Sequence, residues 1–205
     1  MCDNSRETII AKYTDKSRYN PKYIFGDVYV DEDRIKKLTS DQAKEVFDRE
    51  LKAAKRFSKH FNCDVFILPE GDANGNVIYV EKHKNPDAII QGYFIDFKQA
   101  KGTDSSVTKK LGKGLSQSDG IIITIEDELS IMKAVQWING KLNSLESEYN
   151  GFIVIIEDYI GNYSIFTVNE KRLSAEENLF TAAQRLLPSN PESKNPQVDL
   201  NIPQP

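Results

Sequence analysis

Gln91-Gly92 stands between two β-prone runs, Asp87-Ala-Ile-Ile90 and Tyr93-Phe-Ile-Asp-Phe-Lys-Gln99. A two-residue connection of this kind predicts a tight β-hairpin. It also predicts a register: Ile90 opposite Tyr93, Ile89 opposite Phe94, Ala88 opposite Ile95 and Asp87 opposite Asp96. Any fold for this chain has to accommodate that hairpin.

The flanking segments alternate between helical and extended patterns. Thr39, Ser40 or Asp41 is the candidate N-cap of a helix in which Ala43, Val46, Phe47, Leu51, Ala54, Phe57 and Phe61 form one apolar stripe. Glu50 lies at the border of that stripe, where a carboxylate reaches toward whatever the helix covers. Cys63–Leu68 reads as a buried strand and Val77–Val80 as a short one, with a turn-rich loop between them. A helix is expected to end near Gln117. Ile121–Ile125 is apolar enough for a central strand. A second long helix is expected over Leu129–Tyr149, then strands over Phe152–Ile156 and Tyr163–Val168. The pattern Ser174-Ala-Glu-Glu predicts a capped amphipathic helix to Leu187. This order predicts a mixed α/β domain with helices covering a sheet. The expected organisation is an N-terminal extension over residues 1–38, a domain over 39–187 and a Pro-rich disordered tail over 188–205. Within the extension, Gly26–Val30 is a candidate edge strand or a strand pairing with a neighbour.

Composition sets broad limits. Hydrophobic residues make up 39% and charged residues 28% of the chain, ordinary values for a globular domain. No apolar run approaches the roughly 18 residues of a membrane span. The first residues lack an apolar signal core, so a cytoplasmic site of action is expected. Cys2 and Cys63 are too few for a disulfide framework or a thiolate zinc site. His60 and His83 have no histidine partner at metal-ligand spacing, and Trp137 is expected in the core or at a helix interface. The net charge of -4 conceals a local reversal: Lys98, Lys101, Lys109, Lys110 and Lys113 surround a single acid, Asp104.

The hairpin register carries the chemistry. Directly opposed residues have Cβ atoms about 4.5–5.5 Å apart, so Asp87 and Asp96 would repel each other. A divalent cation between them removes that cost, and hard oxygen donors suit magnesium, manganese or calcium. Lys98, two residues beyond Asp96, points to the same face. An ammonium there can orient or deprotonate a water and steady a phosphorane-like transition state. The plain alternative is a surface strand with alternating polar residues.

At these residues the chain resembles the PD-(D/E)xK nuclease superfamily, with Pro86-Asp87 as the first half of the signature and Asp96-Phe97-Lys98 as the second. The resemblance covers about residues 39–126. More narrowly, Glu50-Leu-Lys-Ala-Ala, Val65-Phe-Ile-Leu-Pro-Glu70, Pro86-Asp87-Ala-Ile-Ile-Gln-Gly and Asp96-Phe-Lys98 resemble the C-terminal toxin nuclease domains of contact-dependent growth inhibition proteins (CdiA type), many of which cleave tRNA. Residues 1–38 and 127–205 have no counterpart in it. The resemblance implies a restriction-endonuclease-like core, and a metal site of Glu50, Asp87 and Asp96, with Glu45 as the rival to Glu50. It implies Lys98 as the fourth catalytic residue and Mg2+ as the metal, with Mn2+ or Zn2+ as substitutes. It further implies RNA in preference to DNA as substrate, and a cognate immunity protein as partner. Lys101, Lys109, Lys110 and Lys113 are then candidate phosphate contacts, which would make affinity salt-dependent, and Gln117 a candidate polar contact. A solvated helix face is the alternative for the lysines. The competing functions are a DNA endonuclease of the same fold and a non-catalytic binding module of a phage or mobile element.

Overall fold

Helix α3 (Asp41–Phe61) follows directly from its sequence. Ser40 caps it, accepting the Ala43 N–H at 3.1 Å, and Asn62 closes it in the left-handed conformation, its N–H bonding Ser58 O. The helix buries Phe47, Ala53, Ala54 and Phe57. The computed structural model describes residues 5–70, 79–80 and 83–178. The other helices are α1 (Arg6–Thr14), α2 (Glu32–Lys36), α4 (Asp104–Gly114) and α5 (Ile131–Asn143).

Strands β1 (Ile24–Phe25), β2 (Val28–Val30), β3 (Val65–Ile67), β6 (Ala88–Ile90), β7 (Tyr93–Ala100), β8 (Gly120–Ile125), β9 (Ile153–Glu157), β10 (Tyr163–Asn169) and β11 (Arg172–Glu176) form one mixed sheet in the order β1-β2-β3-β6-β7-β8-β9-β10-β11. The pairs β2–β3, β7–β8 and β8–β9 are parallel. A separate two-stranded ladder joins β4 (Tyr79–Val80) to β5 (His83–Lys84).

Both faces of the sheet are covered, which is why β8 and β9 are apolar almost throughout. On one face α3 packs on Ile95, Phe97, Ile122 and Ile155. On the other, α4 and α5 supply Val107, Leu111, Ala134 and Ile138 against Ile121, Ile123, Val154 and Ile156. Farther along that second face, α1 sets Ile9 and Tyr13 on Phe66, Ile89 and Phe94. Trp137 packs half-buried against the α4–α5 cluster, as expected. Among the described residues no helix is long and apolar enough to cross a membrane.

Two segments depart from expectation. Within residues 1–38 the chain forms α1, β1, β2 and α2. Of the two readings of Gly26–Val30 the pairing strand holds: β2 lies inside the sheet, parallel to β3, and Val28 and Val30 belong to the α3-side core. The segment reads as irregular because its elements are short and its apolar positions isolated. Ser174 does not cap a helix. Residues 172–176 pair antiparallel with β10 through a turn in which Glu170 and Lys171 adopt φ of 47° and 60°. Cross-strand bonding there overrides the local capping pattern. The remainder of the expected helix, the 188–205 tail and Cys2 lie outside the described residues.

Candidate metal and nucleic-acid site

The hairpin forms with the expected register over its first three rungs, Ile90–Tyr93, Ile89–Phe94 and Ala88–Ile95. Gln91 and Gly92 have φ of 50° and 81°, the pair of positive values that such a tight turn requires. The fourth rung does not close. Asp87 N–H donates to Ile95 O at 3.1 Å, one residue out of register, and Phe97 N–H donates to Asp87 Oδ2 at 2.7 Å. The Asp87 carboxylate thus replaces a main-chain partner just where β6 parts from β7. Beyond this point β7 has β8 on one side and, among the described residues, no strand on the other.

Asp87 and Asp96 nevertheless meet around one ammonium. Lys98 Nζ hydrogen-bonds Asp96 Oδ1 and stands 3.8 Å from Asp87 Oδ2. The Asp96 side chain is 1% exposed, and those of Asp87 and Lys98 are 17% exposed. Asp96 Oδ2 is buried without a hydrogen-bond partner. Burial and then the charge of Asp87 raise the Asp96 carboxyl well above its ordinary range, against the pull of Lys98.

Glu50 joins the cluster from α3. Burial and the Asp87 charge raise its carboxyl, while Arg34 lowers it. Glu45, the rival, is exposed and lies 4.0 Å from Arg49. Arg34 is the residue the sequence does not reveal. Its side chain is 4% exposed and forks, one Nη to Glu50 and the other to Glu70. A charged residue in a polar stretch gives no sign of burial. Glu70 likewise reads as a turn residue and proves to be an ion-pair partner.

A cleft of about 460 Å³ opens along the free side of β7, lined by Arg49 and Glu50 of α3, Lys98, Lys101, Lys110 of α4 and Glu126 beyond β8. Asp87 and Asp96 sit immediately behind Lys98. Of the other lysine candidates, Lys109 and Lys113 are exposed and do not line the cleft. Helix rotation turns Lys109 about 100° away from Lys110, while Lys113, on the same face, stands about one turn farther along α4. Gln117 is also off the cleft. Helix α4 begins beside the cleft at Ser106 and runs away from it, leaving Gln117 near the start of β8, with its Oε1 buried and unpartnered.

One wall is braced by a buried carboxylate. Glu157 accepts from Arg56 Nη2 at 2.9 Å, Thr124 Oγ1 at 2.6 Å and Tyr163 Oη at 2.9 Å, tying α3 to β8, β9 and β10. Burial acts to raise its carboxyl, but these hydrogen bonds outweigh it and the net shift is downward.

Among the described residues no three His, Cys, Asp or Glu side chains are gathered as a cation cage. Arg34 and Lys98 instead hold Glu50 and Asp96 by ion pairs. The donor chemistry fits a hard divalent cation: Asp87 and Asp96 meet at Lys98, Asp96 has an unpartnered buried oxygen, and Glu50 lies within the field of Asp87. It suits zinc, which favours nitrogen and sulfur donors, less well. Comparison with family models, curated proteins and solved structures gave no match.

Proposed function

We propose that the protein is a metal-dependent phosphodiesterase of the PD-(D/E)xK type that hydrolyses nucleic acid. The observation that carries this reading is the meeting of Asp87, Asp96 and Lys98 behind the cleft, with Asp96 Oδ2 unpartnered. Asp87, Asp96 and Glu50 are the residues that would hold magnesium or manganese. The bound ion would polarise the phosphate and acidify a water. Lys98, held on Asp96 and facing the cleft, orients the attacking water and offsets charge developing on the phosphoryl oxygens. Arg34 keeps Glu50 directed at the cluster. The resemblance to contact-dependent toxin domains favours RNA, including tRNA, over DNA. It also brings a cognate immunity protein as partner and the cytoplasm of a recipient cell as the place of action.

A second reading is a non-catalytic nucleic-acid-binding or protein-binding module. It is favoured by the ion pairs of Arg34 and Lys98, which can be a structural network. Incubating the protein with total RNA and with plasmid DNA, under magnesium, manganese or chelator, separates the two. Cleavage of at least one pool that stops with chelator supports the enzyme. A folded protein that cuts neither pool with either metal overturns it.

A further inference from the structure

The outer cleft has its own charge pattern, distinct from the carboxylate cluster beneath it. Arg49 reaches it from α3, Lys110 from α4 and Lys101 from just beyond β7, with Lys98 at the base; the acids in the lining are Glu50, which Arg34 holds, and Glu126. Four cations against two carboxylates, in a chain of net charge -4, is a local reversal. Among the described residues neither Lys101 nor Lys110 has an ion pair, and Arg49 reaches Glu45 only at 4.0 Å. Lys110 is held below its usual range by partial burial and by the like charges of Lys98, Lys113, Lys109 and Arg49. Cations crowded together from separate elements are relieved by an anion between them.

The shape narrows the choice of anion. At about 460 Å³ the cleft has the size of a small-molecule pocket, enough for one or two nucleotides. Lys98 is recessed at its base, so a phosphate must descend between α3 and α4 to reach it. A strand paired to its complement can do so only by unpairing, at about a few kcal/mol. The aromatic in the lining, Phe97, is 7% exposed and offers no open stacking face. The contacts therefore fall on the phosphate backbone rather than on base faces.

We propose that the cleft admits a single polynucleotide strand, with Arg49 and Lys110 gripping from opposite walls the phosphate next to the one at Lys98. This rests on the nuclease reading for the role of Lys98, but the grip itself needs no metal. Binding of fluorescein-labelled RNA and DNA oligonucleotides, each alone and annealed to its complement, is measured by anisotropy in chelator across a salt series. Single strands are expected to bind more tightly than duplexes. Each neutralised phosphate contributes a slope of about -0.7 in log affinity against log salt for single strands. Arg49→Ala and Lys110→Ala are each expected to flatten the slope by about 0.7, whereas Lys59→Ala, at the exposed far end of α3, leaves it unchanged. Both cleft residues are partly or fully exposed, so the variants keep the fold. Duplex binding as tight as single-strand binding, wild-type slopes in both cleft variants, or no binding of any oligonucleotide overturns the proposal. If the slopes change as expected while no metal supports cleavage, the strand track stands and the nuclease reading fails.

Discussion

Replacing Arg34 with methionine tests the buried ion pair that holds Glu50. Methionine retains an apolar stem of similar length and removes both Nη contacts. The contact to Glu70 contributes little, because that carboxylate is 61% exposed and exposed pairs contribute about 0–1 kcal/mol. The contact to Glu50 is different. Glu50 is 15% exposed and its carboxyl is already raised by burial and Asp87. Removing one partner from such a pair costs about 3–5 kcal/mol, reduced where the remaining carboxylate can take up a proton. Because Glu50 titrates at about 7, proton uptake limits the loss to about 1–2 kcal/mol near pH 8, growing at higher pH, read by urea denaturation followed by circular dichroism. The sign with pH follows from Glu50. Without Arg34 its folded-state pKa rises further above the unfolded value, so the loss is largest in alkali. It shrinks as pH falls and vanishes below the wild-type folded pKa of about 7, where Glu50 carries a proton in both folded proteins, because the unfolded state is the same in each. Adding Glu50→Gln should restore most of the stability, since no buried charge then remains unpaired. A single variant as stable as wild type, or a double variant no more stable than the single, refutes this account of Arg34.

Two further outcomes follow from packing and charge. A Cβ at Gly120 would stand 2.8 Å from Ile153 Cβ and 2.9 Å from Ile153 O, so Gly120→Ala is expected to cost about 1–3 kcal/mol in urea denaturation; an unchanged midpoint contradicts the close approach of β8 and β9. The lowered carboxyl of Glu157 contributes stability that is present above the unfolded carboxylate pKa and lost as pH falls through the folded one. Arg56→Met removes its bidentate partner, so acid unfolding should begin at a higher pH by circular dichroism. An unshifted acid transition shows that the pair is not what keeps Glu157 ionised.

The site was legible in the sequence where local chemistry dictates geometry. Gln91-Gly92 fixes the hairpin and thereby brings Asp87, Asp96 and Lys98 to one place. Glu50, at the border of an apolar stripe, is placed to reach what α3 covers, and the family resemblance is what prefers it to Glu45. What escaped depends on contacts distant in sequence. Arg34 is buried because α2 lies over Glu50 and Glu70. The slipped rung at Asp87 depends on where β6 leaves β7. β11 forms because Phe166 and Thr167 pair with Ala175 and Ser174, and its turn, Glu170-Lys171, carries neither glycine nor asparagine to announce it. The sorting of Lys110 from Lys109 and Lys113 depends on the docking of α4 through Val107 and Leu111.

Under the proposed function two roles divide within one cluster: Asp96 would hold the metal, and Lys98 would serve the reaction without holding it. Manganese binding by calorimetry and RNA cleavage by gel, measured together on wild type, Asp96→Asn and Lys98→Ala, test this division most directly. Asp96→Asn is expected to lose binding and cleavage together, while Lys98→Ala is expected to bind manganese and not to cleave. Cleavage that persists in both variants would contradict the division.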